Sequence, residues 1–184
     1  MIIYVHGFGS SGEGSKAKKF REYFHSLGES FIAPSLSYIP ELAIATLEEI
    51  IASYKEDVHL IGSSLGGYFA LYLSHLPNVK KVVVINPSVY PYHTLSKMIG
   101  HAKNYYDQSS YDWYASHVEM LKKYDIVPEH KESVLVLLQK GDEVLDYKEA
   151  EQKLDGCNII VEEGGDHGFV GIERYFEKVK EFLS

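Results

Sequence analysis

Two serines stand side by side between glycines in VHLIGSSLGGYFALYL, residues 58–73, where an apolar run gives way to helical spacing. A serine hydroxyl attacks an acyl carbon well only when a turn exposes it, a base takes its proton and backbone N–H groups receive the oxyanion. The pattern G-x-S-x-G that marks such a turn fits in one frame. Gly62 and Gly66 flank Ser64, whereas Ser63 would need glycines where Ile61 and Leu65 stand. The glycines answer a steric demand, because a strand-to-helix turn tight enough to present Ser64 leaves no room for side chains two residues to either side. Ser64 would then open a helix, with the N–H of Leu65 aimed at an oxyanion and Gly67 letting the helix pack closely on the sheet. Taken alone, the motif also reads as a glycine-rich βα turn with a serine cap.

A nucleophilic serine needs a base and an acid to orient it, and in this type of turn the acid precedes the histidine along the chain. SVLVLLQKGDEVLD puts Asp142 just past an apolar run, and NIIVEEGGDHGF puts His167 in a glycine-bearing loop past the next one. His167 would act as the general base and Asp142 would fix its tautomer. Asp146, four residues on and inside the next helical stretch, is the alternative acid, and Asp166 beside His167 points away or caps the turn. The other histidines (6, 25, 59, 75, 93, 101, 117 and 130) show no metal-ligand spacing, and His6 lies on the wrong side of the serine for this order.

The first apolar run leads into HGFGSSGEGSK, where Phe8 is the candidate for a second oxyanion N–H. The same loop, residues 7–16, carries the rival reading: Gly7, Gly9 and Gly12 match the dinucleotide fingerprint G-x-G-x-x-G, and Gly9 with Gly14 has phosphate-loop spacing. No acid stands about 20 residues on to hold a ribose, and Ser15-Lys16 reverses the Lys-Ser order of a phosphate loop. A noncatalytic binding module on the same scaffold is the other alternative.

These residues meet only if the elements between them carry them to one edge. Short apolar runs recur at 2–5, 31–34, 58–62, 81–87, 133–139 and 158–163, several apolar at consecutive positions, as strands buried on both faces require. Helical spacing separates them over 16–27, 41–54 and the C-terminal stretch, predicting a mostly parallel sheet of about six strands with helices on both faces. Ligands in such sheets sit at the carboxyl ends of the strands. Residues 88–128 hold seven of the fifteen tyrosines and the only tryptophan, and are expected to form a helical insertion over that edge. The insertion suits an acyl pocket, ordinary packing or a homodimer surface.

At 184 residues the chain is expected to form a single domain, 1–184. Its net charge of −8 and lack of a basic stripe argue against nucleic acid as a partner. One cysteine, Cys157, supports neither an intrachain disulfide nor a thiolate metal cluster, which suits a reducing compartment. The opening MIIYVHGFG is too short an apolar stretch for a signal peptide or a span, so the expectation is a cytoplasmic protein with no membrane partner.

The stretches YVHGFGSSGEGSKAKKFREYF, IGSSLGGYFALYLS, VVVINPSVYPY, GDEVLDYKEA and EEGGDHGFVGIERYF together resemble the small YqiA-like esterases of bacteria, single-domain members of the α/β-hydrolase superfamily. The resemblance runs nearly end to end. It implies a compact α/β-hydrolase fold without the usual first antiparallel strands, and esterase or thioesterase activity on small acyl substrates. It also implies Ser64, Asp142 and His167 as the triad and no metal or organic cofactor. After NPSV this chain has Tyr90 where a basic residue is expected in many relatives.

Overall fold

In the computed structural model, which describes residues 1–184, the apolar runs become strands β1 (Ile2–Val5), β2 (Phe31–Ile32), β3 (Val58–Ser63) and β4 (Val79–Ile85). After a two-stranded antiparallel hairpin, β5 (Gly100–Lys103) and β6 (Ser110–Trp113), come β7 (Val134–Gln139) and β8 (Asn158–Glu162). The main sheet has the order β2-β1-β3-β4-β7-β8 and every pairing in it is parallel.

The helices are α1 (Ser15–Ser26), α2 (Pro40–Ser53), α3 (Leu65–Leu73), α4 (Pro91–Thr94), α5 (Ala115–Lys122), α6 (Tyr147–Lys153) and α7 (Phe176–Leu183). Consecutive strand residues enter different layers. Ile3, Val5, Leu60, Val82, Val84 and Val136 pack with α2, α3 and α6, while Ile2, Tyr4, Ile61, Val83, Ile85 and Leu137 pack with α1 and α7. Burial on both faces is why these strands read as unbroken apolar runs.

From β1 the chain steps to one side to make β2, then crosses back over β1 to β3 and continues through β4, β7 and β8. The reversal falls between β1 and β3, and a parallel sheet opens a crevice at the carboxyl ends of such a pair. In register Val5 lies beside Gly62 and Ser63 beside Ile85, so the loops that follow β1, β3 and β4 leave the sheet together.

The insertion is not wholly helical. Residues 88–128 hold α4, a short 3-10 turn, the β5–β6 hairpin and α5. Aromatic-rich SYDW pairs with GHAK so that Ala102 and Trp113 are buried while Ser110 and Asp112 face out, a period of two rather than 3.6. Trp113 donates its indole N–H to the Leu95 carbonyl at 3.0 Å, and the Tyr68 hydroxyl donates to the Leu121 carbonyl at 2.7 Å. These bonds fasten the insertion to itself and to α3.

Phe20 on α1 is fully buried, with ring centroids 5.9 Å from Tyr4, 6.2 Å from Phe24 and 4.7 Å from Phe176. Phe20→Ala is expected to cost about 3–5 kcal/mol of folding free energy. Urea denaturation would register this as a lower midpoint at unchanged slope.

Candidate active site

Ser64 sits at φ 55°, ψ −121°, a conformation that side chains rarely adopt. Its neighbours hold it there: the Ser64 N–H donates to the Ile85 carbonyl at 3.1 Å, and its carbonyl accepts from Gly67 and Ser88 at 3.0 Å each. A Cβ at Gly62 would overlap the Gly66 carbonyl, and one at Gly66 would overlap the carbonyls of Val5 and His6. Gly67 packs closely on the sheet, as expected: a Cβ at Gly62 of β3 would lie 2.8 Å from the Gly67 Cα, and a Cβ at Gly67 would lie 2.8 Å from the ring of Pro87 in the loop after β4. Ser63 is buried, within β3 and level with Ile85.

The three residues distant in sequence converge at this turn. His167 Nε2 lies 3.0 Å from Ser64 Oγ, and His167 Nδ1 lies 2.8 Å from Asp142 Oδ2. An ionised carboxylate only accepts, so Nδ1 carries the proton and Nε2 accepts from the serine hydroxyl. The Asp142 side chain is 3% exposed, and its second oxygen accepts from the N–H groups of Val144 and Leu145 at 2.8 and 2.9 Å. Burial alone would raise this carboxyl. The bonds from His167, Leu145 and Val144 outweigh it and hold Asp142 below its ordinary range. Asp146 takes no part, because it caps α6 by accepting from the Lys148 N–H at 3.0 Å. In the turn after Asp166 it is the backbone carbonyl that accepts from Phe169, while the buried Oδ1 of Asp166 has no partner.

Two further residues hold the histidine loop. Asn86, just past β4, donates to the carbonyls of Asp166 (2.9 Å) and His167 (3.3 Å) and accepts from the Gln139 N–H (2.9 Å). Gln139, the buried last residue of β7, accepts from the N–H groups of Asp166 (3.1 Å) and Val170 (2.9 Å). Sequence reasoning passed over both. The available signal was an amide side chain directly after the apolar run that ends β4 and at the end of the apolar run of β7.

The N–H groups of Phe8 and Leu65 donate to nothing within the chain. The Phe8 ring packs edge-on against Trp113 and Tyr111, with centroids at 4.9 and 5.9 Å, which ties the first loop to the insertion. His6 accepts from the Leu36 N–H at Nε2, so its Nδ1–H donates to the Gly7 carbonyl; its role is structural and burial pushes its pKa down. The glycines of the dinucleotide-like pattern answer to the chain itself. A Cβ at Gly7 would lie 3.1 Å from Ser64 Cβ, one at Gly12 would overlap the Ala33 carbonyl, and the Gly9 carbonyl accepts from the Tyr105 N–H at 2.7 Å. Nowhere do three or more His, Cys, Asp or Glu side chains gather closely enough to hold a metal ion.

Two clefts border Ser64 and His167. One, of about 350 Å³, is mainly apolar and is lined by Leu95, Met98, Tyr105, Val144 and Leu145. The other, of about 370 Å³, is lined by Ser10, Ser11, Ser15, Lys16 and Gly168.

Over residues 1–184 the sequence matches the family described as "Uncharacterised protein family (UPF0227)". The chain belongs to this family. The UPF0227 protein YcfP of Salmonella paratyphi A is 26% identical over 187 residues, covering 99% of this chain and 98% of the relative, and the UPF0227 protein PM0825 of Pasteurella multocida is 25% identical with the same coverage. The fold is that of the α/β hydrolases. Est1E from Butyrivibrio proteoclasticus superposes with a TM-score of 0.79 at 15% identity, covering 99% of this chain and 87% of that one. Mouse alpha/beta hydrolase domain-containing protein 10 gives 0.78 at 20% identity, covering 99% and 88%. The monoacylglycerol lipase of Paleococcus ferrophilus gives 0.70 at 17%, covering 99% and 93%. No helix in this UPF0227 protein is long and apolar enough to cross a membrane.

The depressed Asp142 carboxyl links the site to stability. Its contribution is complete above the unfolded carboxyl range near about 4 and is lost as pH falls through the lower folded value. Denaturation between about pH 5 and pH 2 should therefore show a steeper loss of stability for the native protein than for Asp142→Asn.

Proposed function

We propose that this UPF0227 protein is a serine hydrolase that cleaves carboxylic esters or acyl thioesters through an acyl-serine intermediate. The observation that carries the reading is the unbroken hydrogen-bond relay from Ser64 Oγ through His167 to the buried Asp142, at 3.0 and 2.8 Å. His167 takes the serine proton as Oγ attacks, and Asp142 stabilises the imidazolium that results. The N–H groups of Leu65 and Phe8 receive the charge on the carbonyl oxygen. His167 then returns its proton to the departing alcohol or thiol and activates the water that releases the acid.

The apolar cleft supports an acyl substrate, since Leu95, Met98 and Leu145 offer a chain nothing to hydrogen-bond. The neighbour named as a monoacylglycerol lipase supports a hydrolytic reading through the shared fold, and the choice between ester and thioester belongs to the proposal. A nucleotide-binding role for loop 7–16 has less support, because the approaches of its glycines to Ser64, Ala33 and the hairpin already account for that pattern. A catalytically inert module would leave the relay without a use.

A fluorophosphonate probe should label the native protein and fail to label Ser64→Ala, while Ser63→Ala retains most of the labelling. Labelling that survives Ser64→Ala would overturn the mechanism. Rates on p-nitrophenyl esters of increasing acyl length, run beside acyl thioesters, are expected to rise with chain length until the apolar cleft is filled. In the same assay Asp142→Asn should lower kcat by about 10⁴ through the wrong histidine tautomer.

A further inference from the structure

The two clefts at Ser64 differ in chemistry. With the carbonyl oxygen held by Leu65 and Phe8, the two remaining substituents of a scissile carbonyl must leave the serine in different directions. An acyl chain fits the side of Leu95, Met98 and Leu145. The second cleft is mixed: it presents serines and the Lys16 ammonium beside Phe8, Phe169 and Ile172, and it is bordered by the same Ser64 and His167.

Lys16 and Lys19 both line this cleft, and Lys19 pairs with Glu173. Lys16 forms no ion pair. Its one hydrogen bond runs to the neutral carbonyl of Gly168 at 2.8 Å, next to the candidate base, so two of its three N–H donors are uncommitted. A half-buried cation without a carboxylate partner costs free energy, and a ligand anion would offset that cost.

We propose that this second cleft binds a negatively charged leaving group, with Lys16 contacting the anion, so that the substrate is an apolar acyl chain joined to an anionic alcohol or thiol. The inference rests on the acyl-serine reading. The ammonium is also tuned: burial draws Lys16 down to about 8, against the opposing pull of Asp166 and Asp142 and with the help of Lys19, which is itself neutralised by Glu173. Anion preference should accordingly fade as pH rises through that value and Lys16 loses its proton.

The test compares three esters: the hexanoyl ester of 4-hydroxybenzoate, whose leaving group is anionic; phenyl hexanoate, which is neutral; and the monophenyl ester of adipate, whose acyl part is anionic. The readout is the ratio of kcat/KM for each anionic ester to that for the neutral one, which cancels any effect of Lys16 on the histidine loop that all esters share. The 4-hydroxybenzoate ratio should exceed one, fall about tenfold in Lys16→Met and stay within about threefold in Lys16→Arg. It should also decline above pH 8 in the native protein only. The adipate ratio should not follow Lys16.

A ratio indifferent to Lys16→Met, or lost equally in Lys16→Arg, would overturn the proposal, and dependence of the adipate ester alone would reverse the two sides. Calorimetric binding of the intact esters to Ser64→Ala separates the two readings. If the native protein neither labels nor turns over, yet Ser64→Ala binds the anionic-leaving-group ester about tenfold more tightly than the neutral one through Lys16, then the acyl-serine mechanism fails and the anion site stands.

Discussion

Helix α3 begins so near the end of β1 that a single methyl group at Gly66 would overlap the Val5 carbonyl. That approach sets the path of the chain between β3 and α3 and leaves Ser64, at the head of the turn, at positive φ. Residues in such conformations cost of order 1–3 kcal/mol and persist where surrounding structure over-determines them. Here the surrounding structure is the sheet itself. The Ser64 N–H is bound by β4's Ile85, its carbonyl by Ser88 beyond that strand, and Gly67 is pressed on Pro87. Because β1 and β4 flank β3, the strain cannot relax without separating strands that bury residues on both faces.

The histidine loop reaches Ser64 through apolar and polar order together. Phe169, two residues past His167, is buried in the core layer of α1 and α7, and Asn86 and Gln139 hold the loop backbone through Asp166, His167 and Val170. Each amide is buried with its hydrogen bonds made, so neither imposes the penalty of an orphaned group, and each ties the loop to the end of a buried strand. The first loop is held differently. Phe8 is wedged on Trp113, and the hairpin tip grips Gly9 and Ser10 through the Tyr105 N–H and the Asn104 amide. One candidate oxyanion donor therefore depends on the insertion, whereas the other, Leu65, belongs to α3.

Most of this was legible where the physics is local or periodic. Runs apolar at consecutive positions announced a sheet covered on both sides, and the spacing of Gly62 and Gly66 separated Ser64 from Ser63, because both are consequences of sterics that act over a few residues. Asp142 and His167 were found because a parallel sheet sends the loops after successive strands to one edge. Asn86 and Gln139 were not found, since a lone amide at a strand end has no period, and its worth lies in carbonyl groups that are distant in sequence. The β5–β6 hairpin was missed for a related reason. Its short strands are mostly exposed, and only Ala102 and Trp113 betray an inward face, too few residues for alternation to register against the helical spacing on either side.

The insertion decides how the site divides. The 3-10 turn with Leu95 and Met98, and the hairpin with Tyr105, wall off the apolar side, and Phe8 stands between that cleft and the serine-lined one. The aromatic content of the insertion thus does two things at once: Trp113 is fully buried and packs the Phe8 loop, while Tyr105, 67% exposed, borders the cleft mouth. On the proposed mechanism a substrate would meet a mainly apolar cleft on one side of its scissile bond and a mixed cleft with serines and Lys16 on the other. Orientation would then be set before attack, by where each half of the molecule is solvated best, and the strained serine has only to be met by a carbonyl that already faces it.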